Sequence, residues 1–93
     1  MTPEAEVREA LGGVIDPELG LDVVSLGLVY RIERSGGAVR IVHTLTTRGC
    51  PMERHIVRGI REAALSVDGV TDVETELVWE PPWHPEMIDD DAW

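Results

Sequence analysis

Cys50 is the residue whose type and position in this sequence best suit chemistry. It is the one cysteine of the 93-residue chain and stands in the stretch TTRGCP of residues 46–51, between a predicted strand and a predicted helix. Proline favours the first turn of a helix, so Cys50 is predicted to be the N-cap residue. There, unpaired N–H groups and the positive end of the helix dipole stabilise a thiolate, and Arg48 adds positive potential. Cys50 is therefore predicted to be a functional thiol and metal ligand, the alternative being a small buried residue.

The residues around Cys50 form a predicted binding loop. Thr46 and Thr47 could donate hydroxyl hydrogen bonds into it, or simply favour a β-strand. Gly49 lets the backbone turn tightly and leaves room beside the sulfur.

A second candidate is the acidic turn of residues 16–20, with the sequence DPELG. Pro17 and Gly20 are typical turn residues, and an Asp often accepts a hydrogen bond from its own backbone, which would explain Asp16 structurally. The functional alternative is that the turn folds over the start of the Cys50 helix. Asp16 or Glu18 could there bind a metal or act as a base.

Two histidines lie near Cys50 in sequence. His43 occupies the apolar side of a predicted strand, and His55 follows Cys50 by five residues on a predicted helix. A Cys–His pair could serve as nucleophile and base or as metal ligands. The offset turns His55 away from Cys50, however, so we expect His43 at the edge of the core and His55 on the helix surface.

The elements that must position these residues follow in the order α-β-β-α-β. The first helix starts at Thr2–Pro3 and ends near Gly12–Gly13. Period-two alternation predicts a hairpin turning at residues 35–37 and a last strand over residues 73–79. A helix between the second and third strands makes them parallel if they share a sheet. The predicted fold is a two-layer α+β domain with its helices on one face of a small mixed sheet.

Composition narrows the classes of function. The chain carries 18 Asp and Glu residues against 8 Arg and no Lys, for a formal net charge of −10. Such a charge opposes binding to nucleic acid or anionic membranes. No apolar run is long enough for a membrane span, and no phosphate-binding loop, dinucleotide fingerprint or zinc-protease motif occurs. An acidic start without an apolar run and a single free thiol favour the cytoplasm.

The end of the chain is predicted to be a separate segment. We place the domain at residues 1–83 and an acidic tail at residues 84–93, and no periodicity predicts an ordered element after Pro85. Trp83 could fold back on the sheet as a lid or anchor a partner.

Four motifs, in this order, resemble those of the metal–sulfur cluster biosynthesis family of small domains. They are DPE at residues 16–18, LGLVY at 26–30, TTRGCP at 46–51 and PPW at 81–83. The similarity runs from about Val7 to Trp83. The family includes SufT-type maturation factors, PaaD-type oxygenase subunits and a domain fused to cluster-carrier ATPases. The chain lacks a phosphate-binding loop and a cysteine-rich extension, which favours the stand-alone SufT-like form.

The resemblance implies an accessory role in assembling or delivering iron–sulfur clusters, with Cys50 as the functional thiol and Asp16 and Glu18 in its acidic turn. One cysteine cannot hold a cluster alone, so we expect no stably bound cofactor but transient iron or cluster. The expected partners are assembly machinery, client apo-proteins or a second copy in a homodimer. The alternatives are a Cys/His thiol enzyme and a protein–protein adaptor in which Cys50 is structural.

Overall fold

The computed structural model describes residues 3–46 and 52–88. Along the chain the elements are α1 (Pro3–Leu11), β1 (Ile15–Asp16), β2 (Leu21–Asp22), β3 (Val29–Ser35), β4 (Ala38–His43), α2 (Glu53–Leu65), β5 (Asp72–Leu77) and a 3-10 turn (Pro85–Met87). The predicted α-β-β-α-β order is confirmed. The antiparallel pair of β1 and β2 is an addition, because two-residue strands are too short to show a sequence period.

The main sheet has the order β3-β4-β5. Strands β3 and β4 form the predicted antiparallel hairpin, which turns at Gly36 with φ +59°. Strands β4 and β5 are parallel, as expected when a helix connects two strands of one sheet.

The two faces of this sheet have opposite character. On one face Ile32 lies opposite Ile41, and Val39 lies opposite Val73, all of them buried under the helices. Helix α1 contacts β3, helix α2 contacts β5, and the two helices contact each other. The other face carries exposed charged residues: Arg31, Glu33, Arg40, Glu74 and Glu76. This is the predicted two-layer α+β arrangement.

The start of α2 differs from the prediction. The Ile56 N–H donates to the Met52 carbonyl over 2.9 Å, and the N-cap residue of the helix is Met52 and not Cys50. A proline shows that a helix can begin nearby, but which carbonyl accepts the first bond depends on the backbone angles of the following residues. Met52 has φ −92° and ψ 6° and no side-chain cap.

The segment after β5 returns to the body of the domain. The Trp83 indole N–H donates to the Leu26 carbonyl over 2.7 Å, and the Trp83 ring packs on the core as a lid. The expectation of no ordered element after Pro85 is wrong for residues 85–88. Pro85–Met87 form a single 3-10 turn, too short to show periodicity, and the next residue, Ile88, packs against the core.

Candidate functional site

The predicted binding loop is framed at both ends by ordered structure. Thr47, Gly49 and Cys50 belong to residues 47–51, which lie outside the described residues, so their predicted roles stay predictions. We call residues 47–51 the thiol loop. Its preceding neighbour is Thr46, and its following neighbour is Met52, the N-cap residue of α2.

The residues that precede the thiol loop are held by backbone hydrogen bonds on both sides. Beyond the end of β4, the Thr44 N–H donates to the Leu28 carbonyl over 2.8 Å, and the Val78 N–H donates to the His43 carbonyl over 2.8 Å. Thr46 is half-buried in a small groove that it shares with Leu45, Trp79, Glu80, Pro82 and Trp83. The LGLVY and PPW motifs thus both support the chain that leads into the loop.

The acidic turn is built around Asp16. Its side chain is 1% exposed, and its Oδ1 accepts the Glu18 N–H over 2.9 Å. Its backbone carbonyl accepts the N–H groups of Leu19 and Gly20, and Gly20 has φ +73°. The structural interpretation of Asp16 is confirmed, because its carboxylate organises the turn. Glu18, by contrast, is exposed and faces outward from the core.

Contacts with α2 hold the segment that precedes the acidic turn. Val14 packs so closely on the helix that a Cβ at Gly59 would come within 3.0 Å of its Cγ1. The next residue, Ile15, lines one groove together with His55, which belongs to the first turn of α2. The acidic turn thus follows a segment that packs along α2, and its predicted position over the start of the Cys50 helix stays a prediction. The Gly59 contact was missed, although a glycine inside a helix is a recognisable signal for close packing.

The structure separates the two histidines. His43 is 1% exposed and lines a groove between α2 and β5, whereas the exposed His55 lines the groove toward α1. Both predicted placements are confirmed. Burial lowers the pKa of His43, so its imidazole is neutral near pH 7. The two rings lie on different sides of α2 and form no pair.

The described residues do not build a metal centre by themselves. Within residues 3–46 and 52–88, no group of three or more His, Cys, Asp or Glu side chains is placed to hold a metal ion. The predicted metal ligand, Cys50, lies outside these ranges. Over the same part of the chain, no helix is long and apolar enough to cross a membrane.

Comparison with known proteins defines the class. A family model described as iron-sulfur cluster assembly protein matches residues 4–76. A solved structure of a domain of unknown function from Bacillus anthracis superposes with a TM-score of 0.90 at 38% identity, covering 96% of this chain and 86% of that one. The chain belongs to this family of iron–sulfur cluster assembly proteins.

Among its relatives, the Fe-S protein maturation auxiliary factor YitW of Bacillus subtilis is 45% identical over 78 residues, which cover 83% of this chain and 76% of the relative. The corresponding factor SufT of Staphylococcus aureus is 41% identical over 76 residues, covering 81% and 86%. The predicted SufT-like resemblance is confirmed.

Proposed function

We propose that this protein is an accessory factor in iron–sulfur cluster assembly or delivery and that it acts through the thiol of Cys50. The accessory role rests on family membership and on relatives that are named maturation factors. The role of Cys50 is supported by the frame around the thiol loop. The chain before the loop is held by backbone hydrogen bonds of His43 and Thr44, the chain after it leads into α2, and Ile15, next to the acidic turn, lines a groove along that helix.

Iron or a cluster is cargo in this proposal. Iron–sulfur clusters are ordinarily held by four Cys or His ligands, and this chain offers a single thiolate. A client or a second copy of the chain must supply the remaining ligands, so the cargo is held between two partners and passes from one to the other. In this proposal the exposed Glu18 contacts such a partner, while the buried Asp16 keeps the turn in position.

The proposed compartment is the cytoplasm, since a lone reactive thiol stays reduced there. The proposed partners are the iron–sulfur machinery and client apo-proteins. A homodimer in which two copies of the chain share the iron or the cluster is the second form of the same proposal.

The test compares wild-type protein with Cys50→Ser in cells that lack the gene. Because Cys50 is the only cysteine, the variant is thiol-free while differing by one atom. We expect iron–sulfur enzyme activities to recover with the wild type and to stay at the level of the empty vector with the variant. Full recovery of the iron–sulfur enzyme activities with Cys50→Ser would refute a role for the thiol and would favour the alternative of a protein–protein adaptor.

Two measurements on purified protein complete the test. Equal melting temperatures of wild type and Cys50→Ser would establish that the variant is folded. Anaerobic reconstitution with iron counting should give no stable cluster on a proven monomer, and one cluster per two chains if a dimer forms. A stable cluster on a monomer would contradict the shared-ligand proposal.

A further inference from the structure

A groove separate from the acidic turn runs along the outer side of α2. Its volume is about 580 Å³, within the range of ligand sites in proteins. Helix α2 forms one wall, and Thr75 and Leu77 of β5 line the other side. Among the described residues β5 pairs only with β4, so its other edge has no strand beside it.

The wall of this groove is basic although the protein is strongly acidic. Arg54, Arg58 and Arg61 recur at helical spacing along α2, and all three line the groove and are exposed. In the described part of the chain, ion pairs occupy Arg31, Arg34 and Arg40 but none of these three. Glu53 and Glu62 also border the groove, leaving an excess of one positive charge. We call this site the arginine groove.

The rest of the arginine groove is apolar, with one unsatisfied polar atom. Val57, Leu65 and Leu77 contribute apolar surface, and Leu65 is 43% exposed. His43 also lines the groove, and its Nε2 is buried without a hydrogen-bond partner among the described residues. Its Nδ1 lies 3.5 Å from the Thr44 carbonyl oxygen, which can only accept. The proton therefore belongs on Nδ1, and Nε2 is left as a buried acceptor.

We propose that the arginine groove binds an extended acidic peptide segment of a partner protein. Its carboxylates would pair with Arg54, Arg58 and Arg61, which offer charge-assisted hydrogen bonds. An apolar side chain of the segment would lie against Leu65 and Leu77. Backbone N–H groups of the segment would donate to carbonyl groups at the free edge of β5, as in the addition of a strand to a sheet.

A peptide fits this groove better than a nucleic acid does. The net charge of −10 repels a polyphosphate chain over its whole length, whereas a short acidic segment meets only the local arginine stripe. The apolar surface gives no contact to phosphates. The described residues that line the groove include none of the acidic turn, and the proposal gives Cys50 no role, so the inference goes beyond the proposed function and is tested independently of it.

The probe for this proposal is a fluorescein-labelled peptide of alternating Glu and Leu, measured by fluorescence anisotropy at low salt. A second peptide with Gln in place of every Glu tests the charge requirement. The groove variant is the double substitution Arg58→Glu with Arg61→Glu. The control is Arg8→Glu with Arg31→Glu, which changes the net charge equally at exposed positions outside the groove. Both variants should keep the wild-type melting temperature within about 3 °C, because surface substitutions rarely perturb stability.

We expect the groove variant to weaken binding of the Glu peptide about tenfold or more, as expected for lost charge-assisted contacts, and the control variant to change it less than about twofold. The Gln peptide should bind at least about tenfold more weakly than the Glu peptide. Amide resonances of Thr75 and Leu77 should shift when the Glu peptide is added. Cys50→Ser should bind it like wild type.

Several results would overturn the proposal. These are the absence of saturable binding up to about 1 mM peptide, equal weakening by the two double variants, and equal affinity for the Glu and Gln peptides. A single-stranded oligonucleotide that displaces the Glu peptide at lower concentration than unlabelled peptide does would also overturn it. That result would assign the groove to nucleic acid.

Discussion

Gly27 is the position where a single methyl group should reveal how firmly the C-terminal segment is held. It has φ +77°, and a Cβ built there would lie 2.5 Å from the Met87 carbonyl oxygen and 3.1 Å from its Cβ. Ordinary contacts of this kind begin near 3.4 Å, so Gly27→Ala forces the Met87 backbone to move by roughly 1 Å. Gly20 is the matched control, because it has φ +73° and a Cβ added to it would meet no atom within 4 Å.

The two substitutions share one energetic term and differ in a second. An Ala in the left-handed region costs about 1–2 kcal/mol. The gain from a stiffer unfolded chain offsets about 0.4–1 kcal/mol, so Gly20→Ala should lose about 1 kcal/mol of unfolding free energy. Gly27→Ala must also displace the half-buried Met87 and Ile88, which overpacking data put at about 1–3 kcal/mol more. For a domain of this size, the melting temperature should fall by about 5 °C for Gly20→Ala and by about 10–20 °C for Gly27→Ala.

Urea denaturation followed by circular dichroism measures both losses. A double-mutant cycle with a chain truncated after His84 isolates the contact, because the truncation removes Met87. In the truncated protein the two glycine substitutions should cost the same. Equal losses of unfolding free energy for the two variants in the full chain would refute the reasoning, since they would show that Met87 moves away from the added methyl group at no cost.

The remaining predictions concern single polar groups. Asp16→Ala should lower the unfolding free energy by about 1–2 kcal/mol in urea titrations, because the Glu18 N–H loses its acceptor; an unchanged value would mean that the turn holds without it. Burial lowers the pKa of His43, so the unfolded chain binds a proton here before the folded one does. The contribution of His43 to stability is therefore full above about pH 6.5 and is lost as the pH falls below that value, and His43→Gln should flatten this slope in melts across pH 5–7.5. If the slope persisted in the variant, other groups would be responsible for it. The exposed ion pair of Arg40 and Glu76, 2.7 Å long, should contribute at most about 0.5 kcal/mol, so Arg40→Ala should melt nearly as wild type at high salt; a loss above about 2 kcal/mol there would contradict a purely surface role.

The helices and strands with a periodic hydrophobic pattern were predictable, because the pattern lies within each segment itself. The alternation around Ile32 and Ile41 identifies the hairpin, and the helix between β4 and β5 implies their parallel pairing. Glycines at positions 12 and 13 mark the end of α1, which ends at Leu11.

Contacts between residues far apart in sequence could not be predicted from local sequence patterns. The Trp83–Leu26 hydrogen bond and the approach of Met87 to Gly27 join residues far apart in sequence, and the pairing of β1 with β2 involves two residues a strand. The start of α2 depends on backbone angles that the proline did not determine.

At the candidate site, the sequence identified the residue types that could do chemistry, but it did not determine how these residues are arranged in space. The turn-forming role of Asp16 follows from the DPE sequence, and the structure confirms it. The separation of His43 from His55 by α2 required knowledge of which side of the helix faces β5. The three arginines of the groove recur at helical spacing in the sequence, but the groove that they line exists only once β5 is in place.

The parallel pairing of β4 with β5 also orders the events of folding. The hairpin of β3 and β4 closes over a tight turn, whereas β5 can pair only after the chain has passed through the thiol loop and α2. Closing this longer loop between β4 and β5 costs more conformational entropy. Strand β5 and the segment after it should therefore pair last during folding and open first in the native protein. Amide hydrogens of β5 should then exchange with solvent sooner than those between β3 and β4. The strand that borders the arginine groove would be the least protected of the main sheet, and a ligand bound there would slow its exchange selectively.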